Sequence, residues 1–398
     1  MNATSVHWWR ALVLAVSLVA LAGCTVIRRP APPPSRTTIS SPLIEIPAQR
    51  IGNYLVIEAK WDRTGPYRFL IDTGSSVTLL SSEFVKRYPS RLAPGVDAPR
   101  VRVTGADGKV TELPPEAVRR IDLGGAHFDD VPVLVYDCEP LSAHLGVKID
   151  GVLGFPLFRE VLLTLDYPGS RVFLRPAKSS AYIPGSIVAF DDGFKTPVIH
   201  IGVGNRSLLA LIDSGSDSAL SLNPAGLDLK YAVPPRPGAT VGTLVGDHVQ
   251  TIGRIDETLA IGGYTLTQPI TEITDELSTI GGGVLRHFTV TFDQTHDRVT
   301  FFRDSTESIR TDAVRSAGVS FSKTPAYWKI AGVVRDSPAA AAGIRLGDLV
   351  TRINGEPIAR WDLRRYEALV ASASEVALTF LNGTSETEKR VRVFELVP

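Results

Sequence analysis

Phe69-Leu70-Ile71-Asp72-Thr73-Gly74-Ser75-Ser76 recurs later in the chain as Ala210-Leu211-Ile212-Asp213-Ser214-Gly215-Ser216-Asp217. In both copies an apolar run leads into Asp-Thr/Ser-Gly-Ser. Moving outward, residues 152–173 align without a gap to residues 279–300. Leu165-Asp166 there matches Phe292-Asp293, and Arg171-Val172 matches Arg298-Val299. Between these blocks, Ile121-Asp122-Leu123-Gly124-Gly125 matches Leu259-Ala260-Ile261-Gly262-Gly263. Three blocks in the same order, present twice, predict two homologous lobes rather than a solenoid. Short apolar or alternating runs punctuated by Gly, Pro and Asp-Gly predict strands at 54–59, 67–71, 101–104, 131–135 and 161–165. Their second-lobe counterparts are 198–203, 208–212, 250–255 and 289–292. Helix signals are few, at 82–88 and as a short turn at 156–159.

An Asp that follows a buried strand into such a motif sits in a tight turn. The Gly lets the backbone fold close and aims its N–H at the carboxylate. The Thr73 or Ser214 hydroxyl is placed to bond across to the partner loop, and Ser75 or Ser216 to steady the outer carboxylate oxygen. Two such loops meeting across a pseudo-twofold axis set Asp72 beside Asp213. Two carboxylates that close cannot both ionise, so they share a proton. The ionised member then activates a water while the protonated one polarises a carbonyl.

Residues 43–305 resemble the pepsin/retropepsin-type aspartic proteases, carried as two lobes on one chain. The resemblance rests on Asp72-Thr73-Gly74-Ser75, Asp213-Ser214-Gly215-Ser216 and the later elements Val152-Leu153-Gly154 and Thr279-Ile280-Gly281. Residues 280–292, with Arg286, Phe288 and the following Asp293, resemble the close of a pepsin lobe. It implies a mainly β, two-lobed β-barrel fold with lobes at 43–180 and 181–310. It also implies a catalytic pair Asp72 and Asp213 supported by Thr73, Gly74, Ser75, Ser214, Gly215 and Ser216, with no metal or organic cofactor. Thr279 departs from the pattern by replacing an apolar residue, and Asp217 stands where the first copy has Ser76. That third carboxylate either perturbs the dyad or faces solvent. A flap is expected around Thr104-Gly105-Ala106-Asp107-Gly108-Lys109, with the Asp-Gly turn signal and no Tyr, closer to retropepsins; 243–248 is the matching second-lobe candidate.

From Gly318 the character changes. Ser337-Pro338-Ala339-Ala340-Ala341-Ala342-Gly343-Ile344, then Arg345-Leu346-Gly347-Asp348-Leu349-Val350 and Ile353-Asn354-Gly355-Glu356-Pro357-Ile358, resemble the PDZ domains of bacterial envelope proteases. Ser337 is placed to cap a short helix ended by Gly343, and Asp362 a helix running to about Val370. A small α+β PDZ domain is expected over 318–398, taking an extended peptide as an added strand beside that second helix. Tyr327, Trp328, Lys329 and Ile330 are the candidates for its peptide-binding loop.

At the N-terminus, Arg10 precedes an apolar run over 11–23 that is too short to span a bilayer and suits a secretory signal. It ends Leu21-Ala22-Gly23-Cys24, which resembles the lipobox of bacterial lipoproteins. The resemblance implies removal of 1–23, lipidation of Cys24 and membrane attachment without a transmembrane helix. Thr25 in place of Asp implies the outer membrane, with the folded part facing the periplasm. The Pro-rich residues 24–42 are expected to form an extended tether.

Lys plus Arg and Asp plus Glu number 42 each, so no global basic field draws nucleic acid. Two cysteines exclude a disulfide-dense scaffold and a Cys-rich zinc site, and no HExxH is present. If Cys24 carries lipid, Cys138 is left as a buried, inert thiol. The expected partners are peptide or unfolded protein substrates, a PDZ-bound peptide and the membrane. Two functional readings stay open: an envelope aspartic endopeptidase, and a non-catalytic peptide-binding lipoprotein that keeps the acid-protease fold.

Overall fold

The computed structural model describes residues 34–61, 64–88, 99–191, 193 and 195–398. The expected signal peptide, Cys24 and the tether up to residue 33 lie outside the described residues. The chain is mainly β, as the alternating runs predict.

Each lobe is organised around the strand that ends at its Asp. In the first lobe, strand Thr64–Asp72 lies between the antiparallel strand Tyr54–Trp61 and the parallel strand Gly151–Gly154, which puts Gly154 opposite Asp72. In the second lobe, Arg206–Ile212 lies between the antiparallel Val198–Val203 and the parallel Ser278–Ile280. The two repeats are thus the same local fold. Strands Val161–Asp166 and Thr289–Asp293 join the lobes by pairing antiparallel, with Thr164 opposite Thr291. These are the residues that the repeat aligns, and their hydroxyls meet at 2.9 Å, so the pseudo-twofold axis passes between them. The matched Asp166–Arg171 and Asp293–Arg298 ion pairs, at 2.8 and 2.9 Å, flank it. Because the joining sheet is shared, one apolar core runs from Leu55 and Phe69 in the first lobe through Leu163 and Phe292 to Ile212 and Ile255 in the second.

The structure shortens the tether. Arg36–Ile39, expected within 24–42, is a strand paired antiparallel with Ala126–Asp129 of the first lobe. Thr37, Thr38 and Ile39 suit a pleated surface, Ile39 packs against the core, and Arg36 pairs with Asp129 at 2.9 Å.

The second lobe closes with Ile309–Arg310 beside Tyr264–Thr267. Val314–Ser316 already pairs with Phe394–Val397, so the C-terminal domain begins before Gly318. It has its own core around Phe321, Ile330, Val350, Ile353 and Leu378. Ser337 and Asp362 cap their helices, accepting from Ala340 and Arg365 N–H groups at 3.2 and 2.7 Å. Asn354 and Gly355 both take positive φ (49° and 76°), as a two-residue hairpin turn requires. Tyr327 lies in a turn, whereas Trp328, Lys329 and Ile330 lie within strand Trp328–Val333. Trp328 and Ile330 are core side chains, so the stretch expected as a peptide-binding loop is mostly strand. Alternation of large apolar residues decided it.

Candidate active site

The two Asp loops meet at the lobe interface and are clasped by symmetric hydrogen bonds. Thr73 N–H donates to Ser214 Oγ and Ser214 N–H to Thr73 Oγ1, each at 3.0 Å. Thr73 Oγ1 donates to the Ile212 carbonyl at 2.7 Å, and Ser214 Oγ to that of Ile71 at 2.8 Å. Both hydroxyl residues are fully buried, so each bond is shielded from water and neither loop can slide against the other.

The glycines set the spacing of the acids. A Cβ on Gly74 would stand 2.5 Å from Asp213 Cγ, and one on Gly215 2.3 Å from Asp72 Cγ. Each glycine therefore lies against the opposite carboxylate, and any side chain there would drive the pair apart. Gly154 and Gly281 hold the loops from beneath: a Cβ on either would meet a carbonyl oxygen (Val77 or Ser218) at 2.2 Å.

Asp72 Oδ1 accepts from Ser75 N–H at 3.0 Å, and Asp213 Oδ1 from Gly215 N–H at 2.8 Å. The side chain of Ser75 does something other than the motif suggested. Its hydroxyl donates to the Val77 carbonyl at 2.7 Å and steadies the turn, so it is the backbone that holds Asp72. Burial, then the charge of Asp213 and the hydrogen bond between the two acids, push the Asp72 carboxyl well above the ordinary carboxylate range. Burial raises Asp213 as well, but bonds from Gly215, Asp72 and Gly74 pull it back. Both acids are therefore raised, and a proton held between them belongs to the pair rather than to either member. Both acids are only half-buried, leaving room for water to reach them.

Other groups at the site carry no sequence motif. Tyr54 borders the dyad; burial and the charges of Asp217, Asp213 and Asp72 push its hydroxyl well up. Tyr167 is fully buried, and its hydroxyl, which has no hydrogen-bond partner, is raised by burial and by the charges of Asp213 and Asp72. Asp217, the departure in the second motif, accepts from Asn53 N–H at 2.7 Å, while Asn53 Nδ2 donates to its carbonyl at 2.8 Å. It is anchored to the first lobe rather than joined to the dyad. Cys138 is buried at the start of helix Glu139–Leu145, and burial pushes its thiol up to about 12, which makes it inert.

Both flap candidates are hairpin tips. Val101–Thr104 and Val110–Leu113 carry the first, closed by Gly105 N–H on the Lys109 carbonyl at 2.8 Å. Tyr231–Thr243 and Gly246–Ile255 carry the second. The tips meet. Thr243 Oγ1 donates to Asp107 Oδ2 at 3.2 Å, Lys109 pairs with Asp107 at 2.9 Å, and Lys109 Nζ reaches the Asp247 carbonyl at 3.4 Å. Gly105, beside Ala106 at the tip, lies near Leu244 and Val245 of the second hairpin, and a Cβ there would stand 2.9 Å from Asp107 Oδ1. Gly108 takes φ +73°, which completes the turn.

Two lobes, a clasped acid pair and two hairpins whose tips meet fit an acid-protease architecture, and comparison with known families agrees. Residues 57–157 match the aspartyl protease family model, and residues 329–381 match the PDZ domain model. No curated protein matches the chain. The chain thus carries an aspartyl protease domain followed by a PDZ domain. The family match covers first-lobe residues; the second lobe is tied to it by the internal repeat and by the symmetry of the clasp.

Proposed function

We propose that the protein is an envelope aspartic endopeptidase that cleaves peptide or unfolded protein chains with Asp72 and Asp213. The observation that carries this reading is the reciprocal Thr73–Ser214 clasp, which holds two half-buried carboxylates side by side. Asp213 takes a proton from a water as the oxygen attacks the scissile carbonyl, and Asp72 gives its proton to the carbonyl oxygen. A neutral tetrahedral diol results, with Asp213 protonated and Asp72 ionised. Collapse of the diol returns a proton to Asp72 and transfers that of Asp213 to the leaving nitrogen, restoring the starting state. Residues of the two flaps close over the substrate backbone. Lipidation at Cys24 would hold the enzyme at the outer membrane, facing the periplasm, and the PDZ domain would handle peptide. The chain from residue 25 onward, incubated with a denatured protein mixture, should cleave it, and a transition-state-mimicking inhibitor of aspartic proteases should stop the cleavage. Absence of inhibitor-sensitive cleavage would leave a peptide-binding lipoprotein instead.

A further inference from the structure

We infer that the PDZ domain is a working part of the protease: its Ser320 and Gly332 are positioning residues that seat Thr240 of the second flap and so hold that flap in place for substrate. This rests on the protease reading and gives the PDZ domain a task within that same site.

The second flap is tied to both lobes. Gln250 Nε2 donates at 3.2 Å to Ser218 Oγ, which follows Asp217 in the second Asp loop. At the tip, Leu244 enters the first-lobe apolar cluster that includes Tyr54 and Val77, and its carbonyl accepts from Tyr136 Oη at 3.3 Å. Asp247 pairs with His144 of helix Glu139–Leu145 at 3.1 Å. A hairpin bound to both lobes has to lift for a chain to pass between them, and to seat again to hold it. This hairpin is poorly built to hold itself. Strand Tyr231–Thr243 is the edge of its sheet, and Pro234, Pro235 and Pro237 have no N–H to give. Its pairing with Gly246–Ile255 shifts register three times, the last between Pro237 and Thr240.

The PDZ domain supplies the missing support. Thr240 N–H donates to Ser320 Oγ at 3.0 Å, and Ser320 lies on Val319–Lys323, the edge strand of the PDZ sheet. Opposite Ser320 in that sheet, Gly332 leaves the room that the Thr240 side chain fills. A Cβ on Gly332 would overlap the Thr240 hydroxyl, and the three atoms nearest to it all belong to Thr240. Gly332 takes no positive φ, so glycine is needed there for space and not for backbone freedom. At the far end of the edge strand, Lys323 donates to the carbonyl of His144, whose ring pairs with Asp247 and lies against Gly242 of the flap. One PDZ strand thus holds the flap at Thr240 directly and at its tip through His144. A cavity of about 310 Å³ beside Ser322, lined also by His144, Asp247 and Lys329, separates these two points, so the hold is not a continuous face. The support is itself fixed. Val334, Leu396 and Val397 share an apolar cluster with Ile252 and Ile270 of the second lobe. Arg236 and Arg254 donate to the Glu395 and Pro398 carbonyls at 2.9 and 2.6 Å. A clamp on a fixed support positions the flap, whereas one on a tethered module would move with it.

The test uses the full chain and reads the flap twice, by hydrogen exchange of the amides over 240–247 and by kcat and KM on a cleavable peptide. Gly332→Ala should unseat Thr240 and speed that exchange about tenfold or more. It should raise KM about tenfold with kcat within about twofold, because apparent affinity falls with the fraction of protein whose flap is seated. Moving the bulk across, with Gly332→Ala and Thr240→Gly together, should restore both readouts. Ser320→Ala adds no atom and decides the matter if Gly332→Ala does not fold. It should speed exchange about three- to tenfold, the worth of one hydrogen bond, while Ser320→Thr keeps the acceptor and should stay near wild type. Unchanged exchange and KM in both single variants, or a double variant no better than Gly332→Ala, would overturn the inference. So would a fall in kcat at constant KM, which reports lost folded protein, or a rise in kcat/KM, which would make the PDZ domain a restraint. Faster flap exchange in the variants, with no cleavage by wild type, would sink the protease reading alone. Cleavage by wild type, with exchange and KM indifferent to these variants, would sink the clamp alone.

Discussion

Thr73→Val tests whether the clasp organises the site. Valine matches threonine in shape but removes one acceptor and one donor. Ser214 N–H loses its partner at 3.0 Å and the Ile212 carbonyl loses one at 2.7 Å. Thr73, Ser214 and Ile212 are all 0% exposed, so no water replaces the hydroxyl. A buried polar group left unpaired costs about 1–3 kcal/mol. Two such groups give roughly 2–6, and burying a methyl in place of a hydroxyl returns about 1. A net loss of about 1–5 kcal/mol should lower the melting temperature by roughly 2–20 °C in a unit of this size. Because Thr73 follows Asp72 directly, the loss also displaces the carboxylate, and kcat should fall about 100-fold. Thr73→Ser keeps both bonds and should cost less than about 1 kcal/mol. Thermal denaturation followed by circular dichroism, beside cleavage of a fluorogenic peptide, reads both effects. A Val variant that melts within about 2 °C of wild type and cleaves at the native rate refutes the reasoning.

Asp72→Asn and Asp213→Asn should each remove nearly all cleavage, with the double variant little worse, because the shared proton belongs to the pair; half-activity in either single variant would mean two separate sites. Both acids titrate above their unfolded values, so their ionisation opposes folding: the penalty is absent below the unfolded carboxylate pKa and grows as pH rises through the folded values. Either Asn variant should accordingly melt higher than wild type near pH 7 but not near pH 3, and equal melting at both would contradict the assigned shifts. Gly281→Ala places a methyl 2.2 Å from the Ser218 carbonyl and should give protein without a cooperative melt, whereas Gly355→Ala, with nothing within 4 Å, should fold at a modest cost from its positive φ. Burial lowers Lys323 to about 8, so the fold bears the cost of its charge below that pH and is relieved as pH climbs towards 10.5; Lys323→Met should gain least over wild type at the alkaline end of a melting series.

Much of the site was legible in the chain because it is written twice. Asp72 and Asp213, the hydroxyls beside them and the glycines behind them recur in order, and a duplicated turn can do chemistry that a single one cannot. The flap tips were legible from turn residues, although their contact through Asp107 and Thr243 was not. Tyr54, Asn53 and Tyr167 passed unnoticed, since each lies in a strand or turn with no motif and matters only for what folds against it. The departure at Asp217 was the one signal pointing to Asn53.

Local sequence determined the strands, the capped PDZ helices and the two Asp turns, because those follow from side-chain period, turn chemistry and hydrogen bonds within a few residues. Tertiary structure decided the rest. It drew Arg36–Ile39 out of the tether into the first lobe, turned the Ser75 hydroxyl away from the acid, and set Trp328–Ile330 into a strand core. It also set Lys323 of the PDZ domain against the His144 carbonyl of the first lobe. Those outcomes depend on edges and cavities offered by elements up to about 180 residues away, for which a linear pattern carries no period.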